Sequence, residues 1–242
     1  YQSGVWVRIA RIANNATTTY RVENLSPSTT YQFRIRSFAF DGATALYGTN
    51  KNVSGKTNPS VMTGVKIGGR AADALRINWT ENPAAEGYII EQYKAGKWVR
   101  IARIANNTTT TYRVEDLSPS TAYQFRIRSF AFDGTTALYG TYKNVSGKTN
   151  PSVMAGVKIG GRAADALRIN WTKNTTAEGY IIEQYKSGQW VRIAKIANNA
   201  TTTYRVEDLS PSTTYQFRIR AFAFEGSTAL YGNYVNVSGK TL

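Results

Sequence analysis

The chain has 242 residues, with 30 Lys and Arg against 15 Asp and Glu, a formal charge of +15, and neither His nor Cys. Lacking those two side chains, it has no disulfide framework, no thiolate or imidazole metal site, no Cys nucleophile and no proton relay built on histidine. Sixteen Tyr outnumber nine Phe and five Trp, and only six Pro interrupt a chain rich in Thr, Asn, Ser and Val, a balance that favours short strands joined by polar turns.

The sequence repeats with a period of 92. Asn14-Asn15 followed by Thr17-Thr18-Thr19-Tyr20 returns at Asn106-Asn107 with Thr109-Thr110-Thr111-Tyr112, and at Asn198-Asn199 with Thr201-Thr202-Thr203-Tyr204. The phase gives a truncated repeat, residues 1–58, and two nearly identical full repeats, residues 59–150 and 151–242. A unit of this length can bury a core of its own, so separate domains are expected rather than a solenoid. The joints, residues 54–59 and 146–151, are short and polar and end in a proline that restricts the residue before it. They should limit the orientation of neighbours without fixing it.

Within residues 59–150 the apolar positions alternate with period 2 over short stretches, and no helical periodicity appears. Val65 and Ile67 predict a strand A, with Gly68-Gly69 as the hairpin turn that follows it and Gly160-Gly161 as its copy. Leu75, Ile77 and Trp79 alternate with Arg76 and Asn78 in strand B, and Tyr88 and Ile90 follow Gly87 in strand C. Residues 98–104 predict C′ and residues 111–114 predict E. Residues 122–132 predict a long F, in which Tyr123, Phe125 and Ile127 face one way and Gln124, Arg126 and Arg128 the other. Residues 138–145 supply G. Seven short strands with inward apolar alternation describe an all-β sandwich of two antiparallel sheets.

Trp79 at the end of B, Gly87-Tyr88 at the start of C, and Leu117-x-Pro119-x-Thr121-x-Tyr123 before F recur as Trp171, Gly179-Tyr180 and Leu209-x-Pro211-x-Thr213-x-Tyr215. On these residues the unit resembles a fibronectin type III domain. The resemblance implies tandem seven-stranded, immunoglobulin-like sandwiches. It makes the Trp residues core, and Tyr123 and Tyr215 tyrosine corners whose hydroxyls bond to backbone. Tyr1 aligns with Tyr93, so residues 1–58 should keep C′, E, F and G and lack A, B and nearly all of C. In this fold E pairs with B, and C lies between C′ and F. Open ladder edges and an open inner face carrying Tyr31, Phe33 and Ile35 are therefore expected. Such a segment is either loosely ordered or completed by strands of another chain, a route to self-association through residues 1–58.

Glu115-Asp116 and Glu207-Asp208 are neighbours in a solvated loop and are not placed to shift each other's pKa, so they read as turn residues, not as a catalytic pair. The glycine pairs precede no helix and are not phosphate loops. No enzyme activity and no cofactor are expected. The candidate binding face lies on the C′–C–F sheet: Arg126 and Arg128 on F, Arg100 and Arg103 on C′, and Ile89 and Tyr93 on the outer side of C. Its copies are Arg218, Arg220, Arg192, Lys195 and Tyr185, and the truncated repeat keeps Arg34, Arg36, Arg8 and Arg11.

Basic residues outnumber acidic ones by seven to two in residues 1–58, twelve to seven in 59–150 and eleven to six in 151–242, an excess of +5 each time. A cationic, partly apolar face suits a protein receptor, an anionic glycan or a cell-wall polymer, or else serves only solubility. Charge spread so evenly, with no RNA or DNA motif, points to no specific nucleic acid. No apolar run is long enough for membrane insertion. Asn24, Asn78, Asn144 and Asn170 head Asn-x-Ser/Thr triplets, which would be glycan acceptors only in a eukaryotic secretory route.

Within the family, the Cys-free, near-identical, Tyr-, Lys- and Arg-rich repeats resemble irisin-like, hormone-like polypeptides of gut bacteria and the surface proteins of such organisms. That resemblance implies a non-catalytic recognition polypeptide, secreted or at the bacterial cell surface, released from a larger protein and acting as ligand of a host receptor of integrin type. No Arg-Gly-Asp tripeptide is present to carry integrin binding over. Tyr1 opens neither a signal nor a transit peptide, and the chain reads as an excised piece. The alternative is a passive spacer or adhesive stalk of a bacterial cell-surface protein or carbohydrase.

Overall fold

A computed structural model describes residues 1–242 and contains strands and turns but no helix. In residues 1–58 the strands are β1 (Thr30–Ile35), β2 (Phe38–Asp41), β3 (Thr44–Tyr47) and β4 (Lys51–Lys56). The next repeat holds β5 (Lys66–Arg70), β6 (Leu75–Asn78), β7 (Gly87–Lys94), β8 (Lys97–Ile104), β9 (Thr111–Val114), β10 (Ala122–Asp133), β11 (Thr136–Tyr139) and β12 (Lys143–Lys148). The last holds β13 (Lys158–Arg162), β14 (Leu167–Asn170), β15 (Gly179–Lys186), β16 (Gln189–Ile196), β17 (Thr203–Val206), β18 (Thr214–Glu225), β19 (Thr228–Tyr231) and β20 (Val235–Lys240). Two compact units divide the chain. One is Tyr1–Gly64, Trp79–Thr110 and Phe125–Asn144; the other is Val65–Asn78, Thr111–Gln124 and Val145–Leu242.

In the second unit, residues 151–242 form a complete sandwich. Strands β13-β14-β17 make one sheet. The other runs β16-β15-β18-β19, with β20 also paired to β18. Alternation dictates the core: Leu167 and Ile169 of β14 close on Ile182 of β15 and Phe217 and Ile219 of β18, all fully buried, with Trp171 and Tyr180 beside them. Each such burial is worth about 1.5–3 kcal/mol. The tyrosine corner is formed as expected, since Ser210 N–H donates to the Tyr215 hydroxyl at 2.9 Å.

The first unit holds β7, β8 and β11 with most of β10, in the order β11-β10-β7-β8, while the sheet β5-β6-β9 and most of β12 belong to the second. Tyr88 is fully buried with its hydroxyl satisfied, accepting from Asn82 N–H at 2.9 Å and donating to the Asn107 carbonyl at 2.7 Å.

Three expectations need correction. Gly68-Gly69 is not a hairpin turn but the end of β5, where the register slips between Ile67 and Gly69. A Cβ on Gly68 would run into the Asn78 side chain, so the glycine permits a bulge, and the turn is made further on by Ala71 N–H donating to Ala74 O at 2.8 Å. Gly160-Gly161 repeats this. Strand G is not continuous: β11 pairs with the end of β10, and β12 resumes after Gly140, whose N–H donates to Ser129 O. In residues 1–58 the stretches expected as C′ and E form no strand, and pairing is confined to the β1–β4 ribbon, the β2–β3 hairpin and an isolated bridge between Gln2 and Val5. The physical reason is the missing neighbours, since a strand's N–H and C=O groups need a partner ladder. Ile35 stands 66% exposed and Val53 58%.

Both joints carry the same bonds, displaced by 92 residues. Lys56 N–H donates to Asp133 Oδ2 (3.2 Å), and its ammonium donates to Phe132 O (2.8 Å) and lies 3.6 Å from Glu86. Lys148 N–H donates to Glu225 Oε1 (2.7 Å), and its ammonium donates to Phe224 O (2.9 Å) and lies 3.6 Å from Glu178. The Ser28 hydroxyl donates to Ala84 O and that of Ser120 to Thr176 O.

Residues 6–22 and 98–114 differ only at Ala16 and Thr108, so their intrinsic exchange chemistry is nearly equal. Amides of residues 98–104 and 111–114 should exchange at least about 100-fold more slowly than those of residues 6–12 and 19–22, because only the former lie in paired strands. Equal rates by exchange mass spectrometry would refute this origin of strand formation.

Candidate recognition face

Strand β7 sits between β8 and β10, and the register aligns the outer residues in rows. Glu91 faces Arg126 across one ladder and Arg100 across the other, while Ile89 faces Arg128 and Arg103. Arg100 and Arg103 are three apart and would point to opposite faces of a regular strand. The register shift between Ile90, opposite Ala102, and Glu91, opposite Arg100, returns both to one face. Gly87 lies against this face, since a Cβ there would strike the Ile104 carbonyl and the Phe130 ring.

The outward arginines of β10 are not free. Arg126 lies 4.6 Å from the Trp98 ring and 3.9 Å from that of Tyr142; Arg128 lies 4.4 Å from Tyr142 and 3.9 Å from Tyr139. Ring and guanidinium thus alternate in the order Trp98, Arg126, Tyr142, Arg128, Tyr139. The third repeat reproduces the ladder as Trp190, Arg218, Tyr234, Arg220 and Tyr231, at 4.5, 3.9, 4.4 and 3.9 Å. Each contact is worth about 0.5–2 kcal/mol, more as water is excluded. Arg126, Arg128, Arg218 and Arg220, expected as exposed binding groups, are half-buried parts of the scaffold. Ile89, expected as exposed apolar surface, is 3% exposed.

Glu91 anchors the ladder. Its Oε2 accepts from Arg126 Nε at 2.6 Å and its Oε1 from the Tyr142 hydroxyl at 2.6 Å, with the side chain 13% exposed. Burial pushes the carboxyl up, but the hydrogen bonds from Tyr142 and Arg126 and the charges of Arg126 and Arg128 outweigh it and hold the group below its ordinary value. Burial and the bond to Glu91 push the Tyr142 phenol up. Glu183, Arg218 and Tyr234 form the same set. Both carboxylate oxygens are engaged, and this is not the setting of a catalytic base. In residues 1–58, Asn50 stands where Tyr142 would, so the ladder breaks into two separate pairs, Trp6 with Arg34 and Arg36 with Tyr47.

What the face offers to a partner is its C′ side. Tyr93 is 43% exposed and its copy Tyr185 42%, each ring packed against Trp98 or Trp190 with centroids 5.2 Å apart. Arg100, Arg103, Arg192 and Lys195 are exposed; Arg103 reaches over the Phe130 ring at 4.5 Å, and Lys195 over Phe222 at 5.3 Å. Guanidinium groups lie over the rings of Trp98 and Tyr142, which leaves cationic groups, Tyr93 and Tyr139 as the accessible chemistry. Sequence reading missed Glu91, Trp98 and Tyr142. The signal was there in a glutamate directly opposite Arg126 once strands C and F are paired.

The fibronectin type III domain family model matches residues 58–138 and 150–236. Among curated proteins, receptor-type tyrosine-protein phosphatase eta of Mus musculus is 28% identical over 81% of this chain and 15% of its own length. Contactin-2 of Rattus norvegicus is 28% identical over 93% and 24%, and exoglucanase B of Cellulomonas fimi 23% identical over 96% and 22%. The chain thus spans about a quarter or less of these relatives. A two-domain fibronectin type III segment from chicken tenascin is 14% identical, with a TM-score of 0.44 over 75% of this chain and 99% of its own.

Arg126→Ala should lower stability by about 2–3 kcal/mol in urea, because it leaves Glu91 buried with one partner fewer and the Trp98 ring without its cation. The depressed Glu91 and Glu183 carboxyls contribute stability that is complete above their unfolded value, 4.5, and is lost as pH falls through the lower folded value. Stability should therefore fall less steeply below pH 4.5 in the Glu91→Gln, Glu183→Gln chain than in the parent.

Proposed function

We propose that this chain, which belongs to the fibronectin type III family, is a non-catalytic protein-recognition polypeptide that binds acidic protein surfaces through the C′ side of its outer sheet. The observation that carries the reading is the repeated division of labour on that face. Glu91, Arg126 and Tyr142 bond to one another and Arg128 lies between the Tyr142 and Tyr139 rings, while Tyr93, Arg100 and Arg103 stay accessible on the sheet beside them. A rigid aromatic beside cations that need little ordering is the composition of a binding hot spot. Two copies per chain add avidity wherever a partner offers two sites.

The finer reading, a secreted, irisin-like ligand of a host receptor, rests on the sequence resemblance; its support here is that the named relatives include contactin-2 and a receptor-type phosphatase. A second reading, a spacer or stalk, is favoured by the joints, whose bonds recur unchanged between repeats, and by the likeness to exoglucanase B. No helix is long and apolar enough to cross a membrane.

Replacing Arg100, Arg103, Arg192 and Lys195 together by Thr should weaken binding of the labelled chain to mammalian cells in about 150 mM salt by at least about tenfold. Stability should change by only about 0.5 kcal/mol per site, because these side chains are exposed. Unchanged binding, or no binding by the parent, would leave the stalk reading standing in its place.

A further inference from the structure

Each joint has a donor side and an acceptor side. On the donor side, the 148 position supplies a main-chain N–H and an ammonium, and the 120 position a hydroxyl. The acceptor side returns a carboxylate at the end of the F strand, the carbonyl before it, and a second carboxylate, Glu178, whose Oε1 is fixed by the Phe224 N–H at 3.0 Å. Arg70 completes the donor side, with Nη2 2.6 Å from Glu225 and Nη1 donating to Lys148 O at 2.6 Å.

The third repeat presents the same donor side. Ser28, Ser120 and Ser212 share a left-handed φ of 47°, 48° and 49°, so the hydroxyl is set by the same backbone each time. Ser120 N–H is tied to Asn150 O at 3.1 Å and Ser212 N–H to Leu242 O at 3.0 Å; Arg162 Nη1 donates to Lys240 O at 2.9 Å, as Arg70 does to Lys148. The difference is cover. The Lys56 and Lys148 side chains are only 20% and 21% exposed in their joints, whereas Lys240, Arg162 and Ser212 are all exposed.

We propose that Arg162, Ser212 and Lys240 form a preorganised docking surface for another fibronectin type III repeat, one that carries a carboxylate at the end of its F strand and a second at the position of Glu86 or Glu178. These three side chains present donors and two positive charges, which an occupant meets with acceptors. Asp133 and Glu225 both serve in the existing joints, so the end of the occupant's F strand takes either acid. This inference is independent of the recognition face, which lies on other residues.

The test extends the full chain past Leu242 by a further copy of residues 151–242 and follows amide exchange at Lys240. Its N–H should slow by at least about tenfold relative to the 242-residue chain, as the amide gains a carboxylate acceptor. Protection should disappear when the residue of the added copy that corresponds to Glu225 is changed to Ala, with the Ile219 amide unchanged as the folding control. A Lys240 amide that stays fast in the extended chain, or protection that survives loss of the carboxylate, would overturn the proposal. So would two results with the 242-residue chain alone. Protection that rises with protein concentration would assign the surface to a second copy, and protection on adding inorganic phosphate would make it a simple anion site.

Discussion

The main chain of a strand must find partners on the strands beside it, and in this protein strand C carries most of that duty. β7 pairs with β8 on one side and β10 on the other. The chain provides its own comparison. Residues 98–114, which include β8 and β9, have near-identical counterparts in residues 6–22, where no strand forms. Propensity is the same in both places, since the β-branched and aromatic residues are the same. What differs is whether neighbours exist to accept and donate, and that outweighs a preference spanning only about 1 kcal/mol.

The outer face inherits this dependence. A carboxylate at 13% exposure is tolerated only because Arg126 and Tyr142 saturate its oxygens, and they reach it only because β10 lies in register beside β7. The arginines in turn are held by rings from three other segments. Where Asn50 replaces the central tyrosine, Arg34 and Arg36 each keep one ring and the continuous stack is gone. In a cluster that looks from its composition like a charged, reactive surface, one arginine is thus paired with Glu91, the other on β10 is packed among rings, and the exposed cations are the row on β8.

Period-2 alternation was enough to place β6, β9 and β10 within a residue or so, because each has one face wholly in the core and one outside. It failed where an extra residue enters the ladder. Gly68-Gly69 carries the composition of a turn but the geometry of a bulge, a distinction set by Asn78 on the neighbouring strand and therefore invisible locally. Outward alternation also does not mean exposure: Arg126 points away from the core yet lies over the rings of Trp98 and Tyr142, and Ile89, opposite Arg128 and Arg103 in the register, is 3% exposed. The fold is encoded in short-range periodicity, whereas the state of the face depends on pairings 35 to 51 residues apart.

The joints have a genetic consequence. Because donors sit at one pole of a repeat and acceptors at the other, a stretch of coding sequence 92 codons long contains both halves of the contact wherever within the period it is cut. Duplication or unequal crossing-over between such near-identical stretches lengthens or shortens the array without needing a new interface to evolve. The exchange of Asp133 for Glu225 shows the tolerance of that scheme: a methylene has been added to the acceptor, and the lysine amide opposite still finds it. An array built this way can drift in copy number faster than it drifts in structure.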